Sequence, residues 1–490
     1  MYHPPSKKKQ ITTRFLIYGL MTISVIGIVT VLVLLMLGYR VDSQDGSIEQ
    51  VGFMQYSTTP QGATIEVDGE VLRAKTDAKG SVLPGEHEFV MWREGYETWR
   101  KSLTIEAGTL TWLNYARLIP KERPVESVAQ FDELSDILMS PGGRYAVAVT
   151  AASSPELMLF DLRSSTDIPQ ERLVLPASSY SESDNTDIAR TFELVEWDQS
   201  GRYILVTHTY GDKKEWLIVD RDDVERTKNI SRSLNINISD AQLSGTGGDI
   251  VYALTDGDVR KLDIASGTIS RPYVRDVATF ELYGSGVVTY VSRFDDETQQ
   301  RTLGFVREGD EEPYVLRTVK GPASVPLGIV TSRYFNDDYI AISEGSQVDI
   351  LRGSYPNEID DTTSLAAFAS FDFPRDVTWL EMSSNGRFVL AQNGASFMSY
   401  DLERQTISPE ATIEGDGEAR QLGWLDSYYV WSDRGGELVM REFDGSNEHV
   451  IAPVARGFDA TLSQNGTYLY SIGETEGGGL QLQRTRLILE

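Results

Sequence analysis

A short turn of the form Ser-x-x-Gly-Arg-Tyr recurs along residues 125–490 of this 490-residue chain. Each copy follows one apolar, strand-like segment and precedes another, and a third such segment closes on Asp. The clearest copies are Leu138–Tyr145, Trp197–Tyr203, Met382–Phe388 and Leu462–Tyr468. The turn residues lie 38 to 58 residues apart. A period of about 40–50 residues with several strands per repeat predicts a β-propeller, because a small sheet buries both faces only when neighbours pack radially against it.

Eight repeats are predicted, with turns at positions 143, 201, 248, 286, near 338, 386, near 427 and 466. Seven is the alternative, because the copies near 338 and 427 lack the glycine. The glycine permits a positive φ in the turn, and the aromatic residue after Arg is expected to pack between blades. The blade-turn glycines singled out on this ground are Gly143, Gly201, Gly248, Gly386 and Gly466. The predicted closing strands are Leu157–Asp161, Trp216–Asp220, Val259–Asp263, Phe397–Asp401 and Leu438–Asp444.

The turn Ser140-Pro141-Gly142-Gly143-Arg144-Tyr145 resembles the Ser-Pro-Asp-Gly-Arg-type turns of TolB-like and related bacterial propellers. The Trp197-Asp198 dipeptide lies inside a turn and not at a blade end, so it is not the WD-repeat signature. The resemblance covers most of 125–490. It implies a propeller fold and does not assign a function, because propellers serve many.

The segment Phe15–Tyr39 holds twenty-five residues without a charge. A helix of that length reaches roughly 35–40 Å, enough to cross a hydrocarbon core of about 30 Å. A cleaved signal peptide is the alternative, but the apolar run is too long and no small-x-small cleavage site follows it. The sequence therefore predicts a single transmembrane helix at 15–39, after a tail at 1–14.

The charges beside this helix predict its orientation. Lys7, Lys8, Lys9 and Arg14 precede the helix, and Asp42, Asp45 and Glu49 follow it. Since basic flanks stay in the cytoplasm, the N-terminus is expected inside and the rest of the chain outside. Residues 40–50, with Asp45-Gly46 as a turn, are predicted to be a short linker.

Residues 51–120 are predicted to form a compact β-domain. Ala63, Ile65 and Val67 alternate with polar residues, and Asp68-Gly69 supplies hairpin turn chemistry. Two further turns, Pro84-Gly85 and Glu94-Gly95, separate later apolar segments. The corresponding predicted strands are His87–Trp92, Tyr96–Ile105 and Leu110–Leu118.

This segment resembles the PEGA domain, a small β-sandwich module found mostly on bacterial surface proteins. The residues that carry the resemblance are Pro60, Gly62, Ala63, Asp68, Gly69, Pro84, Gly85, Gly95 and Tyr96. Where the family has a Gly-x-Thr-Pro turn, this chain reads Arg73-Ala74-Lys75-Thr76-Asp77. The resemblance implies a spacer or adhesion-type module near the envelope and no catalysis.

Charge and cysteine content limit the classes of partner and of site that this chain can have. Asp and Glu number 73 against 45 Lys and Arg, and the region after the helix carries a net charge of −32. Because such an acidic surface repels nucleic acid, a DNA or RNA partner is not expected. The chain has no cysteine, which excludes disulfides, thiol catalysis and Cys-ligated zinc.

No catalytic, cofactor-binding or metal-binding residue is predicted. The four histidines, His3, His87, His208 and His449, fit no ligand spacing. The acidic pairs Asp222-Asp223, Asp295-Asp296 and Asp337-Asp338 lack the spacing of a calcium loop. The polar insert Asp167–Arg190 is expected to be a mobile loop, with a contact loop as the alternative.

The sequence favours a membrane-anchored binding or scaffold protein of the bacterial cell envelope, whose propeller presents a face to a protein or glycan. The alternative is an extracellular propeller hydrolase or lyase acting on envelope polysaccharide. That alternative requires two or three convergent acidic or aromatic side chains at one mouth of the propeller. A third hypothesis is a sensor that relays an external ligand through a partner.

Overall fold

The computed structural model describes residues 7–41, 48–164, 166–182, 188–284, 286–355 and 365–489, and the chain divides into two compact units, 1–122 and 123–490. The first unit begins with helix α1 (Lys7–Met36). Its part Ile11–Met36 has a mean hydropathy of 2.6 and is long and apolar enough to cross a membrane.

Helix α1 starts and ends earlier than the predicted span 15–39. It starts earlier because nothing in the basic segment before Phe15 breaks a helix. It ends earlier because Gly38 has φ +86°, a left-handed conformation that stops the helix. Strand β1 (Tyr39–Val41) then pairs with β2 (Ile48–Gln50), so both ends of the predicted linker form a small antiparallel ribbon. The predicted Asp45-Gly46 turn lies outside the described residues.

Two facing sheets follow in the first unit. The strands are β3 (Gly52–Thr59), β4 (Thr64–Val67), β5 (Glu70–Lys75), β6 (Ala78–Val82), β7 (Gly85–Trp92), β8 (Trp99–Ile105) and β9 (Leu110–Arg117). One sheet has the order β6-β3-β9, with β3 and β9 parallel, and the other has the order β5-β4-β7-β8. Alternate side chains such as Tyr56, Phe89 and Trp99 are fully buried, as in a β-sandwich.

The motif residues of this domain lie mostly in its connections. Asp68 and Gly69, with φ of +51° and +86°, form the β4–β5 hairpin turn. The other motif residues are Pro60, Gly62 and Ala63 between β3 and β4, Pro84 before β7, Gly85 at its first position, and Gly95 and the buried Tyr96 before β8.

The divergent segment Arg73–Asp77 carries the chain from one sheet to the other. Thr76, between β5 and β6, is buried, and its hydroxyl lies 2.6 Å from that of Thr58. The same hydroxyl accepts a hydrogen bond of 2.9 Å from Ala63 N. A threonine therefore fixes this crossing without the family's usual turn.

The second unit is built of four-stranded antiparallel sheets. Strand β10 (Val125–Phe131) comes first. Sheets 1 to 4 are β11 (Asp136–Met139), β12 (Tyr145–Val149), β13 (Glu156–Asp161) and β14 (Gln170–Val174); β15 (Arg190–Trp197), β16 (Tyr203–Tyr210), β17 (Lys213–Asp220) and β18 (Lys228–Asn229); β19 (Asp240–Leu243), β20 (Ile250–Thr255), β21 (Asp258–Asp263) and β22 (Thr268–Ile269); and β23 (Val277–Tyr283), β24 (Val287–Ser292), β25 (Gln300–Arg307) and β26 (Tyr314–Lys320).

Sheets 5 to 8 are β27 (Leu327–Tyr334), β28 (Asp337–Glu344), β29 (Gln347–Gly353) and β30 (Ala366–Asp372); β31 (Trp379–Met382), β32 (Phe388–Asn393), β33 (Ser396–Asp401) and β34 (Thr406–Ile407), with β35 (Ala411–Thr412) also on β33; β36 (Gly423–Trp424), β37 (Tyr429–Ser432), β38 (Glu437–Glu442) and β39 (His449–Pro453); and β40 (Thr461–Leu462), β41 (Tyr468–Glu474) and β42 (Leu480–Arg486), completed by β10. A short helix, α2 (Ile230–Leu234), joins sheets 2 and 3.

These sheets form a closed ring, a β-propeller. Buried apolar clusters fill the space between sheets 1 and 2, 2 and 3, 3 and 4, 4 and 5, 5 and 6, 6 and 7, and 8 and 1. Sheets 7 and 8 are joined by a 2.8 Å hydrogen bond from Ala455 N to Ile472 O. Strand β10 pairs with β42, so the first strand of the unit completes the last sheet and leaves the ring no free end.

Hydrogen bonds explain the recurring turn. The first turn residue accepts a bond from the backbone N–H of the aromatic residue that opens the second strand. Ser140, Ser383 and Ser463 accept from Tyr145, Phe388 and Tyr468 at 2.9, 3.0 and 2.9 Å, and Asp198 accepts from Tyr203 at 2.8 Å. The aromatic residues pack between sheets, since Tyr145 stacks on Trp197 and Phe388 on Phe443.

Four of the five blade-turn glycines have the conformation the turn requires. Gly143, Gly201, Gly386 and Gly466 have φ between +60° and +74°. Gly248 differs, because in its longer turn Gly245 takes the positive φ, of +64°. A Cβ on Gly248 would lie 2.5 Å from a ring carbon of Tyr203, so close packing explains this glycine.

A fourth strand completes each sheet, where the sequence pattern predicted three. These outer strands have a neighbour on one side only, and several are too short to show an apolar period; β22 and β34 are two exposed residues each. One of them, β14, lies inside the predicted insert Asp167–Arg190, where Leu173 is buried. Residues 183–187 of that insert lie outside the described part of the chain.

Candidate functional site on the propeller axis

Three glutamates occupy equivalent positions on innermost strands. Glu196, Glu281 and Glu381 lie on β15, β23 and β31, the first strands of sheets 2, 4 and 6. Each precedes by two residues the position that closes the hairpin to the second strand. The three side chains are therefore at the same level of the propeller.

Electrostatics places these side chains around the propeller axis. The pKa of Glu196 and that of Glu381 are both raised to about 7, mainly by burial and in smaller part by the negative charge of Glu281. Sheets 2, 4 and 6 are not neighbours in the ring. The charge of Glu281 therefore acts on Glu196 and Glu381 across the propeller axis, around which the innermost strands lie.

Three aspartates form a second level. Each lies four residues before the first turn residue of its repeat, which is Ser140 for Asp136, Ser244 for Asp240 and Ser463 for Asp459. Burial raises the pKa of all three, and the charge of Asp459 further raises the pKa of Asp136. The axis thus carries two levels of carboxyl groups that hold protons more tightly than carboxyl groups in water.

Some of these carboxylates also join neighbouring sheets. Asp136 accepts a 3.0 Å hydrogen bond from Leu194 N, and Glu196 accepts one from Leu243 N. Gln242, at the level of the glutamates, accepts a 2.8 Å bond from Leu282 N. An innermost side chain of one sheet therefore holds the innermost strand of the next, which fixes the ring locally.

Glu281 is the carboxylate most available to a ligand. Its side chain has no hydrogen bond or ion pair within the described ranges and is accessible to solvent, while the protein atoms around it desolvate the carboxylate enough to raise its pKa. The negative charge of Asp240, on the neighbouring sheet 3, repels the Glu281 carboxylate. A cationic group placed beside Glu281 would relieve this repulsion.

The histidines considered from the sequence do not lie on the innermost strands of the propeller. Of the histidines, His208 is fully buried, stacked on Phe192 with ring centroids 4.5 Å apart, and its Nδ1 lies 3.3 Å from Glu215 Oε2; burial lowers its pKa. His87 contacts Asp68 in the small domain. His449 opens β39, and His3 lies outside the described residues. Over the described ranges, no three or more His, Cys, Asp or Glu are grouped to hold a metal ion.

The axial carboxylates were not predicted from the sequence. A signal for them exists, because Glu196 and Glu381 stand two residues before the first turn residue, and Asp136 stands four before it. The strand period alone does not show whether such a residue faces the axis or a neighbouring sheet.

Raising the pH is expected to destabilise the protein through these carboxyl groups. Between pH about 4.5 and 7 the folded state keeps a proton on Glu381 that the unfolded state has released, so stability falls as pH rises through this window. Glu381→Gln should remove this contribution and raise the free energy of unfolding by about 1–3 kcal/mol at pH 8, with little effect at pH 4. Urea unfolding at both pH values measures it. Glu437→Gln, at an exposed position, is the control, and equal behaviour of the two variants would contradict the assignment.

Comparison with known families assigns the small domain. Residues 54–118 match the family model of the PEGA domain. This segment is a PEGA domain. The PEGA match lies within the two-sheet part of the first unit, and the axial carboxylates lie in the propeller.

Comparisons of whole structures give distant similarities. The C-terminal WD40 domain of Sif2 has 10% identity, covers 75% of this chain and 99% of its own, and has a TM-score of 0.49. The β-propeller domain of Myceliophteria thermophila Cps50 (Swd1) has 12% identity, 66% and 97% coverage, and a TM-score of 0.39. An oligogalacturonate lyase in complex with manganese has 12% identity, 69% and 98% coverage, and a TM-score of 0.41. No match to a curated protein is significant. The propeller assignment rests on the sheets and their closure.

Proposed function

We propose that this protein is a membrane-anchored, extracytoplasmic binding or scaffold protein of the bacterial cell envelope. Helix α1 is its anchor, with the N-terminus in the cytoplasm, and the PEGA domain and propeller lie outside. The propeller binds an envelope protein or glycan that brings a cationic group to the axis. The observation that carries this proposal is the set of carboxylates at one level of the axis, where the Glu281 side chain has no hydrogen-bond or ion-pair partner among the residues that the structure describes.

Charge and architecture support the proposal. The region after the helix has a net charge of −32, so cationic partners are attracted and anionic ones repelled. Basic residues precede the apolar helix, and acidic residues follow it. A closed ring is rigid, and rigidity lowers the entropic cost of binding.

Binding of a cationic probe tests this proposal. A lysine decapeptide should bind the full-length protein in detergent with an affinity that falls as salt is raised. Glu281→Gln should weaken this binding about twofold to fivefold, the contribution of one water-exposed charge pair. Glu437→Gln is the matched control. Equal binding by wild type and Glu281→Gln, or equal binding of a glutamate decapeptide, would contradict an axial site.

A second candidate function is enzymatic cleavage of an extracellular polysaccharide, by a hydrolase or a lyase reaction. The observation that favours it is convergence, because Glu196 and Glu381, with pKa values of about 7, face the same axis as Glu281. A carboxyl group of raised pKa can act as a general acid while another stays ionised. Product release from envelope polysaccharide, abolished by Glu196→Gln or Glu381→Gln, would favour this function over binding alone.

A further inference from the structure

The outer face of the sheet β6-β3-β9 in the PEGA domain has an unusual composition for this chain. Two rows of outward side chains cross it. The row Ser81–Phe53–Leu110 and the row Lys79–Gln55–Trp112 are each aligned by strand pairing. Leu110 and Trp112 are 52% and 43% exposed. We call these six residues the anchor-side face.

The anchor-side face combines three apolar residues with three polar ones and includes no carboxylate; the nearest carboxylate on this side, Asp77, lies one row further from the helix end, where Ser57 Oγ donates a hydrogen bond to it. The only charged member of the anchor-side face is Lys79. The outer face of the other sheet also exposes apolar residues, Val71 and Trp92, but there they accompany the exposed Glu86 and Glu88, with Arg100 lying 3.6 Å from Glu88. The two outer faces therefore differ in charge, and the acidic one is less suited to an anionic lipid surface.

The apolar helix ends directly beside the anchor-side face. Gln50 Nε2 donates to Leu37 O at 2.8 Å, and Val51 N donates to Gly38 O at 3.0 Å. Phe53 lies beside Gly38, because a Cβ on that glycine would be 3.3 Å from the Phe53 ring. The domain is thus hydrogen-bonded to the helix end.

Distance along the sheet determines how far each row can lie from the bilayer. Phe53 and Leu110 form one row beside the helix end. Trp112 is two strand positions further, at most about 7 Å away. The polar headgroup layer of a bilayer is about 5–8 Å thick on each side, so both rows are within its reach. Trp favours this layer, because its ring is apolar and its N–H is polar.

From this continuity we infer that the anchor-side face rests on the phospholipid bilayer into which α1 inserts. Leu110 and Phe53 bury against the acyl boundary, Trp112 lies among the headgroups, and Lys79 meets lipid phosphate. The PEGA domain therefore lies against the membrane with one defined face and does not extend from it as a free spacer. This inference rests on the membrane anchor of the proposed function.

Site-directed spin labelling tests the inference, since the chain has no native cysteine. The full-length protein is reconstituted in vesicles of phosphatidylcholine with one quarter phosphatidylglycerol. A nitroxide at Ser81→Cys reports on the anchor-side face and leaves its apolar residues in place. Ser102→Cys, opposite Glu88 on the other sheet, is the matched control.

The label at position 81 should collide mainly with lipid-soluble oxygen, and the label at 102 with a water-soluble nickel chelate. Leu110→Ser with Trp112→Ser should move the label at 81 toward the aqueous result. If the protein binds vesicles but the label at 81 behaves like that at 102, or is shielded from both reagents by protein, the membrane contact of the anchor-side face is wrong and the anchor stands. A protein that fails to float with the vesicles would overturn the anchor as well.

Discussion

Gly143→Ala is expected to lower the free energy of unfolding of the propeller by about 3–5 kcal/mol. A Cβ at this position would lie 1.7 Å from Leu462 O, so the backbone of sheet 8 or sheet 1 must move. The residue also has φ +60°, which costs an L-residue about 1–2 kcal/mol. The substitution therefore acts where the last sheet meets the first.

The neighbouring glycine is a matched control. Gly142 has φ +72°, but a Cβ there would meet nothing within 4 Å, so Gly142→Ala should cost only the conformational strain, about 1 kcal/mol. Urea midpoints of both variants, followed by tryptophan fluorescence, measure the difference. Similar midpoints for the two variants would show that sheets 8 and 1 do not approach closely at this turn.

Arg387→Ala is expected to destabilise the propeller by about 3–5 kcal/mol. Arg387 donates two hydrogen bonds to Asp401, of 2.9 and 2.6 Å, and both side chains are 5% exposed. Arg387 belongs to the recurring turn and Asp401 closes the third strand of the same sheet. Removing the arginine leaves a buried carboxylate without its counter-ion, which is the costly part.

Two further variants separate this effect from general sensitivity. Arg352→Ala removes a comparable pair with Asp337, in which the two side chains are 48% and 34% exposed. It should lower the free energy of unfolding by no more than about 1 kcal/mol. Arg387→Leu combined with Asp401→Leu should recover much of the loss, because no charge is left buried. A double variant as unstable as Arg387→Ala would show that the loss comes from packing and not from the charge.

The Arg–Asp pair also explains part of the sequence cadence. Arg202 pairs with Asp220 in sheet 2 as Arg387 does with Asp401 in sheet 6. The Asp that closes each predicted third strand has no evident cause in the sequence pattern alone. The pairing supplies it, because each Asp lies opposite the residue that follows the turn arginine. Such pairs need strands from one hairpin, so local sequence suffices to predict them.

Residues far apart in sequence were harder to predict. The partner of Gly143 is Leu462, more than three hundred positions away, and the strand that completes sheet 8 is β10. The repeat shows that both turns exist but not that the first and last copies meet, because their contact depends on closure of the ring. The same holds for Glu281, whose position beside Glu196 and Glu381 depends on the closure of the ring.

The sequence by itself determined the elements whose cause is local: the apolar helix, the hairpin turn at Asp68-Gly69, and the repeated turns whose glycines and serines satisfy their own backbone. Tertiary structure alone decided which carboxylates share the axis, where the ring closes, and which PEGA face adjoins the helix end. Turn geometry and strand alternation act over a few residues. Electrostatic repulsion of Glu196 and of Glu381 by Glu281 arises only once sheets from distant parts of the chain surround one axis.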